Sequence, residues 1–224
     1  MSDTLAWNTY ARTRPERRAT NAAGQSTWFN WTQYPDHGPG AELLNPSPGR
    51  TALDLGCGKG GNIAHLATLG APSTGVDISP TQIDAARARW GGANPGLAFL
   101  RADAHAFLRN TEKQWDAIYS VYGVLWFTDP AVSLPLVHER LAPGGTLAFS
   151  HRPPTPGCYG CQASYIPRGE DEDPHVVRRW DYTPEAWRDL LTDAGYSAVT
   201  TEVIPAPPGR RKVGTLLVTA RKAA

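Results

Sequence analysis

Leu53-Asp54-Leu55-Gly56-Cys57-Gly58-Lys59-Gly60-Gly61 is the stretch on which the reading of this chain turns. Its first residues finish a short apolar run that begins at Thr51, which predicts a strand. Beyond the glycines, Asn62 to Leu69 carries Ile63, Leu66 and Ala67 on one helical face, with Gly70 as its stop. A strand that opens through glycines into a helix suits a polar ligand. Glycine tolerates positive φ and lets a ligand approach the backbone, and the free N–H groups of the helix start face a carboxylate or phosphate. Asp77 follows Gly56 by about 20 residues, at the end of a second strand-like run, Ser73 to Val76, where an acid can accept from both hydroxyls of a ribose.

Downstream of this stretch the pattern repeats. Ser79-Pro80 starts a helix running to about Trp90, with serine at the N-cap and proline in the first turn. Leu97 to Leu100, Trp115 to Val121 and Thr146 to Ser150 read as further strands, Ala131 to Leu141 as a helix, and Pro143-Gly144-Gly145 as a turn. Thr183-Pro184 caps a last helix ending at Gly195, and Tyr196 to Val203 and Val213 to Ala220 close the chain as two strands. The linker 204–212 carries three prolines and two arginines. Alternating strands and helices predict a doubly wound, mostly parallel sheet, and the final pair, with no helix between, an antiparallel C-terminal hairpin. Residues 1–45, rich in aromatics, are expected as a helical or irregular cap, 46–150 as the ligand-binding core, 151–182 as a structureless lid-like insertion, and 183–224 as the terminal helix and hairpin of one domain.

Composition narrows the partners. Hydrophobic residues make up 41% and charged residues 19% of the 224, with a net charge of +1. That balance fits a globular domain and gives no electrostatic grip on nucleic acid or an anionic membrane. Three cysteines are too few for a disulfide scaffold, Met1-Ser2-Asp3-Thr4 lacks the pattern of a signal peptide, and no stretch has the roughly 20 apolar residues of a membrane span. The expectation is a cytoplasmic monomer or homodimer acting on a small molecule.

Taken alone, Gly56, Gly58 and Gly61 also satisfy the dinucleotide fingerprint, so a nicotinamide-dependent oxidoreductase competes for this loop. A P-loop does not, because no Lys-Ser/Thr pair follows the last glycine. The wider set decides. Asp54, Gly56, Gly58 and Gly60 resemble the first motif of the class I S-adenosylmethionine-dependent methyltransferases, and Gly75-Val76-Asp77-Ile78-Ser79 resembles the second. Arg101-Ala102-Asp103-Ala104 resembles the stretch whose acid receives the adenine amino group. Leu141-Ala142-Pro143-Gly144-Gly145-Thr146-Leu147 resembles the turn before the fifth strand. All four stand in family order. The resemblance implies S-adenosylmethionine as cofactor and a seven-stranded sheet in the order 3-2-1-4-5-7-6. It places Asp54, Gly56, Cys57 and Gly58 towards the amino-acid end of that cofactor, Asp77 and Ile78 at its ribose, and Asp103 and Ala104 at its adenine. A dehydrogenase requires Asp77 but gives no reason for Asp54 or Asp103. A domain of this family that binds the cofactor without turnover is the third reading.

Acceptor chemistry is sought beyond the strand ends. His151, after the fifth strand, is the candidate general base, because an imidazole titrates near neutrality. Ser120 ends the fourth strand as a cofactor contact, and Tyr122, Trp126 and Trp31 are candidate walls of the acceptor pocket. Tyr10 resembles the N-terminal aromatics that close over the cofactor in small-molecule methyltransferases, and His37 is a further candidate contact. His65 and His105 read as helix-surface residues. Cys158-Tyr159-Gly160-Cys161 lacks two more ligands for a closed zinc site, so no metal is expected. The short cap, aromatic cleft and neutral charge resemble the small-molecule methyltransferases of bacterial secondary metabolism, including antibiotic biosynthesis.

Overall fold

The computed structural model describes residues 3–14, 18–92, 94–209 and 213–224. In chain order they form α1 (Asp3–Thr13), a 3-10 turn (Ala41–Leu44), β1 (Ala52–Leu55), α2 (Gly61–Thr68), β2 (Ser73–Asp77), α3 (Pro80–Trp90), β3 (Leu97–Arg101) and α4 (Ala104–Asn110). There follow β4 (Trp115–Val121), α5 (Val124–Phe127), α6 (Pro130–Arg140), β5 (Leu141–His151), β6 (Gly160–Ile166), β7 (His175–Asp181), α7 (Pro184–Asp193), β8 (Ser197–Ile204) and β9 (Thr215–Arg221). The main sheet runs β3-β2-β1-β4-β5-β9-β8. Its pairs are parallel from β3 to β5, and β9 runs antiparallel to both β5 and β8. This is the expected topology; β8 and β9 are its sixth and seventh strands once the separate β6–β7 hairpin is set aside.

The two faces of the sheet are filled differently, and side-chain size explains it. Leu53, Leu55, Ile118, Leu147 and Phe149 share one core with α4, α6 and α7, where Leu108, Leu134, Val137, Trp187 and Leu191 are buried. The other face presents Ala52, Ala117 and Ala148. Those small residues leave room for Phe29, Trp31 and Tyr119, whose rings lie 4.8–6.0 Å apart. Trp31 is therefore a core residue and not an acceptor wall: it is wholly buried, its indole donates to Gly40 O at 2.8 Å, and Ser150 Oγ donates to its carbonyl at 2.6 Å. Aromatic residues of the N-terminal segment share the covering of this face with Leu66 of α2.

Three local results differ from expectation. The N-terminal cap contains a regular helix, α1, which packs Ala6, Trp7 and Tyr10 against Ile166 and Val177. The stretch 151–182 is not structureless: it folds back on itself as the β6–β7 hairpin, with Tyr165 opposite Val176 and Gln162 opposite Arg179. β6 sets polar Gln162 and Ser164 on its less exposed side while Tyr165 and Val176 face outward, so the hairpin has no clean apolar period in the sequence. Pro143-Gly144-Gly145 is a bulge within β5 and not a separating turn. Trp115 pairs with Leu141 and Ala117 with Thr146, and Gly144 takes up the kink at φ 71°. The arginines of the 204–212 linker lie outside the described residues. Among the described residues no helix is long and apolar enough to cross a membrane.

Candidate functional site

A cavity of about 270 Å³ opens beyond the C-terminal ends of β1, β2, β3 and β4. It is lined by Gly56, Cys57 and Gly58 after β1, Asp77 and Ile78 after β2, Asp103 and Ala104 after β3, and Tyr122, Gly123, Val124, Phe127 and Thr128 after β4; Trp7 and Tyr10 reach it from α1, and Gln82 from α3. Parallel strands deliver their loops to one end, which is why residues 56, 77, 103 and 122 meet.

The glycine loop is held in place by its own N–H groups. Gly56 and Cys57 donate to Val76 O at 2.8 and 3.1 Å. Gly58 donates to Asp77 Oδ2 at 3.0 Å, and Ser79 N donates to Asp77 Oδ1 at 2.8 Å. Asp77 thus grips the loop and the start of α3 at once, and each oxygen keeps a lone pair for a ligand. Burial pushes its pKa up, opposed by those two N–H groups. The loop glycines differ in function. A Cβ on Gly60 would lie 2.4 Å from Phe99, so Gly60 is required for packing. A Cβ on Gly58 meets nothing nearer than Gln82 at 3.8 Å, so Gly58 leaves open space on the cavity side. The Gln82 side-chain oxygen is buried with no hydrogen-bond partner and is available to a ligand hydroxyl.

Asp54 stands behind the loop. It is buried within β1, and desolvation raises its pKa to about 8, with the Tyr119 hydroxyl opposing and Asp77 reinforcing the shift. It does not line the cavity, and its carboxyl group shapes the ground beneath the loop. Ser120 does not reach the cavity either: its hydroxyl donates to Leu55 O at 2.7 Å and accepts from Leu125 N at 3.4 Å, tying the ends of β1 and β4 to α5. Asp103 caps α4, with Oδ1 accepting from Ala106 N at 2.8 Å, and is otherwise exposed at the rim.

Towards the mouth, Tyr122 adopts φ 51°, a costly conformation for a non-glycine residue, and its hydroxyl pairs with Thr215 Oγ1 at 2.8 Å. Trp126 lies behind the wall: buried, it donates from Nε1 to Asp181 Oδ1 at 2.8 Å. His151 lies further back, stacked on Trp126 with centroids 5.4 Å apart. Its Nδ1 is 2.7 Å from Arg152 O, which can only accept, so Nδ1 carries the hydrogen and Nε2 is a buried acceptor with no partner. Burial lowers its pKa to about 4. The expectation of a base titrating near neutrality is therefore corrected: His151 does not line the cavity and is neutral at pH 7. His37 is also remote, its Nε2 lying 2.7 Å from Pro205 O in a separate groove.

Several contributors were not legible in the sequence. Trp7 and Phe127 meet edge to face at 4.6 Å over the cavity. Ser79 Oγ donates to Asn8 Oδ1 at 2.6 Å, lashing α1 to the start of α3. His105 Nε2 lies 2.8 Å from Ser133 Oγ, which lies 2.6 Å from Thr128 Oγ1, so His105 belongs to a chain leading to the cavity and not to a free helix surface. Polar residues at i, i+3 after a strand were the available signal for the caps; the pairings across elements had none. Among the described residues no group of three or more His, Cys, Asp or Glu side chains could hold a metal ion.

Residues 52–145 match a family model described as a methyltransferase domain. A trans-aconitate 2-methyltransferase of Methylobacterium radiotolerans is 42% identical over 115 residues, covering 49% of this chain and 42% of that protein. A second protein of that name, from Paracidovorax citrulli, is 30% identical over 171 residues, covering 74% of this chain and 58% of its own. The chain thus spans about half the length of these relatives. The fold is shared with the 1,6-didemethyltoxoflavin-N1-methyltransferase of Burkholderia thailandensis, solved with 1,6-didemethyltoxoflavin and S-adenosylhomocysteine bound. The TM-score is 0.59 at 22% identity, over 82% of this chain and 75% of that one.

Two expectations follow from this geometry. Gly58→Ala, placing a methyl in the cavity, is expected to keep a cooperative fold but lose S-adenosylhomocysteine binding at least 10-fold. Gly60→Ala, forced onto Phe99, is expected to lose about 2–4 kcal/mol of stability. Calorimetric titration and urea unfolding of both variants check the pair; equal behaviour would contradict it. Asp54 gives a pH test. Its carboxyl holds a proton to about pH 8 when folded, against an ordinary value of 3.8, so its contribution is fully favourable at low pH and is lost as pH rises from about 4 to 8. Asp54→Asn, which never ionises, is expected to gain on wild type by on the order of 2–5 kcal/mol between pH 4 and pH 9. A pH-independent difference in unfolding free energy would refute the assignment.

Proposed function

We propose that this chain, which belongs to the class I S-adenosylmethionine-dependent methyltransferases, transfers the methyl group of that cofactor to a small, uncharged acceptor with a planar face. The observation that carries this reading is the cavity itself. One continuous space joins the glycine loop, Asp77 and Asp103 to an aromatic wall of Trp7, Tyr10 and Phe127. A dehydrogenase reading leaves Asp103 and that arrangement without a purpose.

The residues fit the cofactor. Gly58 leaves space where a side chain would stand, Asp77 has acceptor capacity for ribose hydroxyls, Gln82 offers an unpartnered oxygen, and Asp103 keeps Oδ2 for the adenine amino group. When bound, the cofactor supplies a methyl group already activated on a cationic sulfur. The chain's own task is to orient the acceptor and exclude water. Trp7 and Tyr10, held over the cavity by the Asn8–Ser79 bond, supply the roof together with Phe127; Tyr122 and Val124 line the cavity beside them. No histidine is among the described lining residues, so alignment of the acceptor against the methyl group is the contribution this lining supports.

The acceptor differs from that in the names of the curated relatives. Trans-aconitate is a tricarboxylate, and no lysine or arginine is among the described lining residues, while Asp77 and Asp103 are. A bacterial secondary metabolite or its precursor, neutral and flat, suits such a pocket better.

Calorimetry with S-adenosylhomocysteine, S-adenosylmethionine and NADH tests the cofactor. Micromolar binding of the first two, on the order of −8 kcal/mol, is expected. Asp77→Ala is expected to weaken it by roughly 1–3 kcal/mol. A metabolite screen with radiolabelled cofactor then seeks the acceptor, with trans-aconitate expected to stay unlabelled. Tight NADH binding without S-adenosylhomocysteine binding would refute the reading, and cofactor binding without any labelled product would favour a non-catalytic domain.

A further inference from the structure

The hydrogen-bond chain His105–Ser133–Thr128 has no part in the reading above, and all three members are polar groups brought together from different elements. Ser133, on α6, is almost wholly buried. His105 sits in the first turn of α4, directly after Asp103 and Ala104, both of which line the cavity. Thr128, just after α5, lines it too. The chain therefore joins the adenine end of the site, as marked by Asp103, to Thr128 in the lining of the same cavity.

The direction of the Thr128 hydroxyl follows from its partners. Its hydrogen can go to Val124 O at 2.7 Å or to Ser133 Oγ at 2.6 Å, and both lie inside the protein. Ser133 in turn has Asp129 O at 3.0 Å and His105 Nε2 at 2.8 Å as acceptors for its own hydrogen. Burial holds the His105 imidazole below its ordinary pKa, against Asp103 and Asp129 and together with Arg109, which favours the neutral ring; in the tautomer protonated on Nδ1, its Nε2 accepts from Ser133. With the hydroxyl hydrogen drawn inward, the oxygen of Thr128, a residue of the cavity lining, keeps acceptor capacity for a ligand. An oxygen that only accepts recognises a donor.

We infer that Thr128 is a specificity-determining residue for the nucleobase of the cofactor, accepting one N–H of its exocyclic amino group while Asp103 accepts the other. Ser133 and His105 are positioning residues that keep the Thr128 hydroxyl turned inward. An amino group has two hydrogens, and Asp103 commits Oδ1 to capping α4, leaving one oxygen for the base. Thr128 supplies the second acceptor. A purine bearing a carbonyl in that position meets two acceptors and no donor, and such mismatches of buried polar groups discriminate strongly. The inference rests on the reading of the cavity as an S-adenosylmethionine site.

The test compares S-adenosylhomocysteine with S-inosylhomocysteine, its 6-oxo analogue, by calorimetry. Wild type is expected to prefer the former by at least 100-fold. Thr128→Val is expected to lose about 10-fold in affinity for S-adenosylhomocysteine and to narrow that preference, whereas Thr128→Ser, which keeps the hydroxyl, restores both. His105→Ala is expected to narrow the preference by less, and in the same direction. A structural role alone would weaken both ligands equally and leave their ratio unchanged, which would overturn the inference. So would unchanged S-adenosylhomocysteine affinity in Thr128→Val with reduced turnover, which would assign the hydroxyl to the acceptor. If wild type binds neither ligand, the cofactor reading itself fails, and that outcome is separate from the ratio.

Discussion

The carboxylate of Asp77 is the constraint on which the site depends. Its two oxygens take N–H groups from Gly58 and Ser79, so one side chain fixes the glycine loop of β1 relative to the start of α3. The next bond in the sequence of contacts runs from Ser79 to Asn8 and fixes α1. A ligand that binds to Asp77 therefore meets a loop, a helix start and a roof already in register. This is preorganisation in a concrete form: the ordering cost is met during folding and not at the moment of binding.

Buried polar groups in this fold are not distributed at random. Asp54 and Tyr119 lie beneath the loop residue Cys57, and burial raises all three pKa values, so each is neutral near pH 7. A neutral carboxyl under a neutral thiol and phenol avoids the cost of an unpaired charge in the sheet. The same logic applies to His151, whose ring is neutral and packed between Trp126, Phe149 and Trp187. Its place at the end of β5 resembles that of a catalytic residue, but its surroundings are those of a core.

The cap and the hairpin form a second layer over the strand ends. Ala6 of α1 meets Ile166 and Val177 of the hairpin, and Thr9 Oγ1 lies 3.2 Å from His175 Nε2. At the hairpin's other end Asp181 binds both Trp126 Nε1 and Arg179 Nε at 2.8 Å. The hairpin thus supports one cavity wall from behind through Trp126, next to Phe127, and the roof through α1. This end of the cavity is framed by two segments more than 150 residues apart in sequence, joined by a small apolar contact and a few polar ones.

Sequence alone determined the sheet. β1, β2, β4 and α3 follow from apolar runs, the Ser79-Pro80 cap and the glycine stops, because these are local properties of a chain with period 2 or 3.6. It also placed Gly56, Gly58 and Asp77 at one cavity, because parallel strands bring their C-terminal loops to one end whatever their side chains, while the family resemblance added Asp103 and Tyr10. What it could not determine was which way a side chain faces once the chain has packed. Trp31 fills the space left by Ala52, Ala117 and Ala148; Trp126 turns to Asp181; His105 turns to Ser133; His151 is enclosed. The hairpin of residues 160–181 was also hidden, since its strands are specified by pairing with each other and by α1. Each of these depends on a partner distant in sequence, and only the folded chain brings the partners within hydrogen-bonding or van der Waals reach.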